Sequence, residues 1–431
     1  MLSRVANSLY WMSRYIERAE NIARILDVNL QLLLDYRSLN GAQMREHWLP
    51  IIQTTGDHDA FVTRYQNASA EAVAEFMVFA PDNPNSLVSS VCQARENARM
   101  VRDQIAVETW VELNRLYLFV QSPQARQMWH DSPTDFFNEI KASSLLLIGL
   151  NYATHIHNEG WWFSQAGKFI ERADKTSRIL DIRHHSLPAR GLPQTVSQTD
   201  ALGWTAIVRS CSAWDAYKSI YGGEVHPRHV AEFLLLNEDF PRSVRFCVDG
   251  LNDALRHISG VSEGRFSNDG EKLAGRLMAE LQFSTIEEIF ENGLHDYLDR
   301  TQLKLNAIGE ALFNAYIFHA FPPEGDGEVR VQQEEQQQQA APRPGGVGEF
   351  FGVHRKLPRS AAVSVAAPLT TPITVEFGAL IWRSRLLRVG GTMSCHRAGH
   401  PRSVLFWQPW MRPFFGSPGP ACFVNHRRDE I

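Results

Sequence analysis

One stretch of this chain occurs twice, and that limits its folds more than any other feature. Residues 15–29, YIERAENIARILDVN, align without a gap to residues 169–183, FIERADKTSRILDIR, at an offset of 154. Eight of the fifteen positions are identical, including Glu17/Glu171, Arg18/Arg172, Arg24/Arg178 and Asp27/Asp181, and Glu20/Asp174 adds a matched carboxylate. A weaker echo pairs Pro84-Asn-Ser-Leu with Pro241-Arg-Ser-Val at an offset of 157, in each case just ahead of a predicted helix. Two echoes at nearly one offset indicate duplication of a half of about 155 residues. Two such halves pack most simply as one pseudo-symmetric helical bundle.

Helical periodicity runs through residues 1–321, and β-branched alternation is nearly absent. Helices are expected over 2–36, 41–55, 68–80, 86–119, 134–158, 160–185, 198–220, 228–236, 241–257, 269–283 and 285–320. The breaks fall at Gly41, Pro81–Pro84, Pro123/Pro133, Pro188–Pro193, Gly222–Gly223 and Gly260–Gly270. No strand–turn–helix unit is visible, so the fold class is all-α and a parallel α/β sheet is excluded. The expected domain is 1–321, with halves of 1–158 and 159–321.

A seam follows near residue 321. Residues 1–321 carry 30 basic against 39 acidic residues, net −9, whereas 322–431 carry 13 against 9, net +4, with 12 of the 21 prolines. Residues 322–349 are rich in Gln, Pro and Gly and read as a disordered linker. Residues 350–431 mix Arg, Pro and Trp without sustained periodicity, apart from a short β-like piece at 373–382. They read as a poorly ordered extension, with an arginine–aromatic nucleic-acid segment and sequence not under selection as the alternatives.

With a net charge of −5 over 431 residues and no RNA-binding motif, nucleic acid is not an expected partner. No apolar run approaches membrane-spanning length, and Arg4, Arg14, Glu17, Arg18 and Glu20 interrupt any signal-peptide core. The five scattered cysteines form no C-x-x-C pair. These features predict a cytoplasmic protein in a reducing compartment, with no membrane partner.

The repeat has a helical geometry. At about 100° per residue, Arg24, Glu20 and Asp27 fall within about 80° of Glu17, while Tyr15, Ala19, Ile22, Leu26 and Leu33 form an apolar stripe opposite. The second copy reproduces this with Glu171, Asp174, Arg178 and Asp181 opposite Phe169, Ala173 and Leu180. Arg18 and Arg172 flank the core side. A solvated face would tolerate Lys for Arg, so retention of Glu, Arg and Asp in both copies favours bidentate Arg–carboxylate geometry. The stripe admits three readings: an inter-helix ion-pair network, a ligand or catalytic site, or plain surface. In the second, Glu17 or Glu171 is the candidate acid or base, and Arg18, Glu20, Arg24, Asp27, Arg172, Asp174, Arg178 and Asp181 are substrate or interface candidates.

Four blocks in order carry a family resemblance: MLSRVANSLYWMSRYIERAENIARILDV, NPNSLVSSVCQARENARMVRDQI continuing to WVELNRLY, EGWWFSQAGKFIERADKTSRILDI, and FLLLNEDFPRSVRFCV. Residues 1–320 resemble the bacterial alpha-E domain family, all-helical proteins named for the repeated Glu-Arg motif, here Glu17-Arg18 and Glu171-Arg172. The tail departs from the usual family length. The resemblance implies a role beside a circularly permuted ATP-grasp ligase, often with a transglutaminase-like protein encoded nearby. Those neighbours imply ATP-dependent formation, and also cleavage, of amide bonds in a small peptide. The resemblance assigns no role to individual residues.

Other chemistry finds little support. Residues 1–321 contain no Glu-x-x-His, which weighs against a di-iron bundle site. Of His155, His157 and Glu159, one histidine and the carboxylate stand at i and i+4 with the third ligand undefined, so no metal and no cofactor are expected. His184-His185 read as a helix cap, and Glu291/His295 as an ordinary i,i+4 pair. Gly160 to Lys168 fails as a phosphate loop because no strand precedes it, and no nucleophile elbow is present. Cys92 and Cys247 read as inert core thiols, and Trp110, Tyr117, Trp204 and Trp214 as packing aromatics. Arg95, Arg99 and Arg102, at i, i+4 and i+7, read either as a salt-bridged face or as a cradle for a phosphate or carboxylate. The expected function is that of an accessory protein binding an ATP-grasp amide ligase or its peptide or amino-acid substrate. The alternatives are a free-standing enzyme of amide metabolism, and ion-pair networks that are purely structural.

Overall fold

The computed structural model describes residues 1–35, 41–184, 187–188, 191 and 198–317. The first half contains α1 (Ser3–Asp35), α2 (Gly41–Gln53), α3 (His58–Arg64), α4 (Ala70–Ala74), α5 (Leu87–Met100), α6 (Val107–Val120), α7 (Pro123–Asp131) and α8 (Pro133–Thr154). The second contains α9 (Glu159–Asp181), α10 (Gln198–Ser210), α11 (Trp214–Tyr221), α12 (Pro227–Leu236), α13 (Val244–Ser259), α14 (Asp269–Phe283), α15 (Ile286–Asn292) and α16 (Leu294–Tyr316). A π-helical turn, Glu75–Phe79, follows α4. Among the described residues there is no strand, and no helix is long and apolar enough to cross a membrane. The expected linker 322–349 and extension 350–431, with its β-like piece, lie outside the described residues.

The two repeat segments are the central helices. α1 packs along α9; α1 is flanked by α5 and α8, and α9 by α13 and α16. α6 then joins α5 to α8 as α14 joins α13 to α16, so four helices of one half recur in the other. The Pro-x-Ser echo explains itself here. Ser86 caps α5 by accepting from the Ser89 amide at 3.2 Å, and Ser243 caps α13 by accepting from the Phe246 amide at 3.0 Å. Each hydroxyl satisfies an otherwise orphaned helix N–H.

α1 and α9 approach closely because one of them lacks a side chain at the crossing. A Cβ on Gly167 would stand 2.2 Å from the Tyr10 carbonyl oxygen. Flanked on several sides, both helices are buried well beyond one stripe: Ala19, Ile22 and Leu26 are core residues, and so are Glu17, Glu20, Arg24 and Asp27. The plain-surface reading of the charged stripe is therefore corrected for α1. The stripe lies opposite the apolar face, but neighbouring helices cover it.

Several helix boundaries differ from expectation. The helix expected over 86–119 ends at Met100 and restarts at Val107. The intervening segment contains no Gly or Pro; buried Val101 and Ile105 hold its turn in place. The helix over 198–220 breaks at 211–213, where Ser212 has φ 50°, and that over 285–320 breaks at Gly293, φ 96°. Pro123 and Pro133, read as breakers, instead open α7 and α8 behind the caps Ser122 and Ser132, since proline at a first helical position sacrifices no hydrogen bond. α3 and α7 fall outside the expected helices.

Candidate functional site

The site is built on the contact between α1 and α9, where the two Glu-Arg motifs bond crosswise. Arg172 of α9 donates from Nε and Nη2 to the two carboxylate oxygens of Glu17 on α1, both at 2.8 Å. Reciprocally, Arg18 of α1 donates to both oxygens of Glu171 on α9, at 2.7 and 3.1 Å. Each motif thus supplies a carboxylate to its copy and receives a guanidinium from it. Planar, two-point pairing of this kind is what lysine cannot reproduce, which accounts for the retention of arginine.

Each carboxylate has a second cation, and the two halves provide it differently. Glu171 accepts from Arg14 Nε at 2.8 Å and has Lys175 Nζ at 3.8 Å. Glu17 accepts from Arg242 Nη1 at 2.8 Å, and Arg242 Nη2 reaches Glu20 at 2.6 Å. Asn85, which occupies the Arg242 position of the first half, accepts from Arg18 at 2.8 Å. Arg14, Arg242 and Lys175 were not singled out from the sequence. For Arg242 a signal was present: it is the position in the Pro-x-Ser echo where one copy is charged and the other is not.

The electrostatics follow from the pairing. Glu17 is 1% and Glu171 0% exposed. Burial alone raises the Glu17 carboxyl, but the Arg172 and Arg242 guanidiniums outweigh it and hold the group at about 2. Burial acts against Glu171 in the same way, and Arg18, Arg14 and Lys175 overcome it, holding the carboxyl well below its ordinary range. Neither carries a proton at neutral pH. That is the reverse of what a general acid needs, which is a site that favours the neutral form.

The remaining candidates are also paired. Arg24 lies 3.3 Å from Glu20, and its guanidinium also donates to the Ser210 carbonyl. Asp27 is held by Lys141 of α8 at 2.7 Å. Asp174 accepts from Lys175 at 3.0 Å and from Arg178 at 2.9 Å. Asp181, at the end of α9, accepts from His295 at 2.8 Å.

Arg95, Arg99 and Arg102 are not on one helix, because α5 ends at Met100. Arg95 and Arg99 share Glu96, while Arg95 and Arg102 lie over the Trp110 ring. Their positive charge is turned toward a carboxylate and an aromatic face and does not converge on an open point.

Of the cysteines read as core thiols, Cys247 is buried, and Cys92 is half-buried, accepting from Gln121. Glu291 and His295 are separated by the break at Gly293, so the expected i,i+4 pair is corrected: His295 turns to Asp181. His184 bonds to the Asp181 carbonyl at 2.9 Å, as a cap does. Asp181, His184 and His295 bring one potential ligand atom each within 4.8 Å of one another, a juxtaposition that the spacing of the sequence did not reveal.

Two clefts flank the α1–α9 contact. One, of about 610 Å³, opens toward α16 and is lined by Tyr10, Trp11, Arg14, Ile170 and Phe313. The other, of about 310 Å³, opens toward α8 and is lined by Ile16, Leu147, Asn151, Tyr152, Ser164 and Lys168. They are related by the same repeat that relates the two motifs.

A family model described as a predicted alpha-helical domain with a conserved ER motif matches residues 1–317. Among curated proteins, the chain is similar to uncharacterized proteins of Mycobacterium bovis and Mycobacterium tuberculosis, each 27% identical over 302 residues. A protein from a further Mycobacterium tuberculosis strain is 26% identical over the same length. These alignments cover 67% of this chain and 33% of each relative, so the match spans a third of the relatives' length. No solved structure matches.

Proposed function

The chain belongs to the Alpha-E family, and from that premise we propose that it is a non-catalytic accessory component of an amide-forming ATP-grasp ligase system, working in the cytoplasm. It binds the ligase or the ligase's peptide or amino-acid substrate, and a transglutaminase-like protein belongs to the same system. The observation that carries this reading is the burial of both Glu-Arg motifs in reciprocal ion pairs. Glu17, Arg18, Glu171 and Arg172 join the two halves, and neither carboxylate is poised to move a proton. What remains for function is surface and cleft. The relatives add support, because in them the matching segment is a third of a longer chain.

The test is affinity capture of the full-length chain from its native cells after mild cross-linking, with partners identified and counted by mass spectrometry. An ATP-grasp ligase recovered in near-equal amount supports the accessory reading. Recovery of the chain alone defeats it and leaves a free-standing enzyme, whose chemistry would then have to lie in one of the clefts.

A further inference from the structure

The duplication is not symmetric in charge, and the imbalance falls in one cleft. Glu171 is neutralised from the first half by Arg14 and Arg18. At the offset of 154, their counterparts in the second half are Lys168 and Arg172. Arg172 does for Glu17 what Arg18 does for Glu171, but the second cation on Glu17 is Arg242, standing where the first half has Asn85. Lys168 is thereby released from the role that Arg14 plays. Its ammonium donates to the Gln165 amide oxygen and lies 4.1 Å from the centre of the Phe169 ring. Among the described residues, no carboxylate lies within ion-pairing distance of it.

Lys168 lines the 310 Å³ cleft together with Ser164 and with Glu17, whose carboxylate is taken up by Arg172 and Arg242. The Ser164 side chain is 1% exposed, and its hydroxyl has no hydrogen-bond partner. A buried polar atom without a partner, on a wall beside a cation that forms no ion pair, is costly unless something fills the space. Burial, followed by the nearby Arg172 charge, pulls Lys168 down to about 8, against the opposing influence of Glu17 and Cys247. At neutral pH it remains a cation. The larger cleft offers no such group, because Arg14 there is already bonded to Glu171 at 2.8 Å and to the Tyr10 hydroxyl at 3.2 Å.

We propose that the cleft between α1, α8 and α9 is a binding site for a small monocarboxylate with an apolar body, such as an amino-acid derivative or the terminal residue of a short peptide. Lys168 pairs with the carboxylate, Ser164 Oγ donates to it, and Ile16, Leu147 and Tyr152 cover the apolar part. One ammonium and one hydroxyl suit a monoanion; a phosphate dianion calls for more donors. The biological identity of the ligand rests on the accessory reading above, whereas the chemistry rests on the cleft alone.

Calorimetric titration of the full-length chain at pH 7 tests this, with N-acetyl-leucine, its amide and inorganic phosphate as probes. The acid is expected to bind at least about tenfold more tightly than the amide, and Lys168→Gln to lose about tenfold or more. Lys168→Arg is expected to retain binding, and Ser164→Ala to weaken it several-fold. Affinity of the native chain should fall as pH rises past about 8, while that of Lys168→Arg stays level. Equal binding of acid and amide, no binding of the acid, an unaffected Lys168→Gln, or displacement by phosphate each overturns the site. Should Lys168→Gln not fold, as judged by circular dichroism, the acid–amide comparison and Ser164→Ala still decide. Ligase recovery without acid binding removes this site and keeps the accessory role; acid binding without a ligase does the opposite.

Discussion

Glu171→Ala is the most direct perturbation of the crosswise pairing. It removes the carboxylate shared by Arg14 and Arg18 while leaving the apolar packing around α9 in place. The guanidiniums have little contact with water, since their side chains are only 17% and 12% exposed in the α1–α9 contact. Some compensation remains, because Arg18 keeps Asn85 and Arg14 keeps Tyr10 and the face of Trp11. Breaking a buried pair by deleting one partner costs about 3–5 kcal/mol, mainly through the charge left behind. Two orphaned cations put Glu171→Ala in that range, with the retained contacts favouring its lower end. The assay is urea unfolding of the full-length chain at pH 7, followed by circular dichroism. With a slope of about 3 kcal/mol/M, a loss of about 3 kcal/mol lowers the midpoint by about 1 M. Adding Arg14→Met removes one orphaned charge, so the double variant should recover part of the loss. A cost below about 1 kcal/mol at unchanged slope would refute the reasoning and return Glu171 to the candidate functional groups. The experiment measures the cost of breaking the lock, which differs from its net worth against an all-apolar replacement.

Other outcomes can be checked alongside. Glu17, held at about 2 against an ordinary 4.5, contributes stability that is complete above about pH 4.5 and disappears as pH falls toward 2. Unfolding free energies at pH 5, 4 and 3 should therefore decline, by an amount on the order of 3 kcal/mol from this group, and Glu17→Gln should flatten that decline; equal slopes for the two proteins would contradict it. Gly167→Ala, whose methyl meets the Tyr10 carbonyl, should cost about 2–3 kcal/mol in the same urea assay. Gly149→Ala, with nothing within 4 Å of the new methyl, should stabilise α8 by up to about 1 kcal/mol, and similar effects for the two glycines would undo the close-approach argument. The hydrogen bond that His295 donates to the Asp181 carboxylate raises the imidazole, so this stabilising contact is complete below the ordinary value of 6.5 and is lost as pH rises through the raised one. Asp181→Asn should lower the His295 titration midpoint seen by NMR; an unmoved midpoint would show that the contact does not form in solution.

The repeat made the two central helices legible, and residue-type retention singled out Glu17, Arg18, Glu171 and Arg172 before any geometry was known. The helical wheel placed Glu20, Arg24 and Asp27 beside Glu17 correctly, but a wheel describes one helix and cannot count its neighbours. Burial on several sides of α1 comes from α5, α8, α9 and α10 together. The second cations were hidden for a related reason. Arg14 lies outside the aligned fifteen residues, and Arg242 is more than two hundred residues from Glu17 along the chain. The break between α5 and α6 escaped because 101–106 contains no turn-forming glycine or proline; distant packing imposes it.

The reciprocal bonding of the two motifs has the form of a two-fold contact, in which residue i of one partner meets j of the other and j meets i. Such a contact is self-complementary and does not depend on the covalent link between its partners. A half carrying Glu and Arg in this order contains both ends of the bond needed to join another half of the same kind. The present chain is therefore organised as a homodimer closed within one polypeptide. Two halves in one polypeptide can differ, and arginine at 242 against asparagine at 85 is a difference that two identical subunits could not carry on one side only.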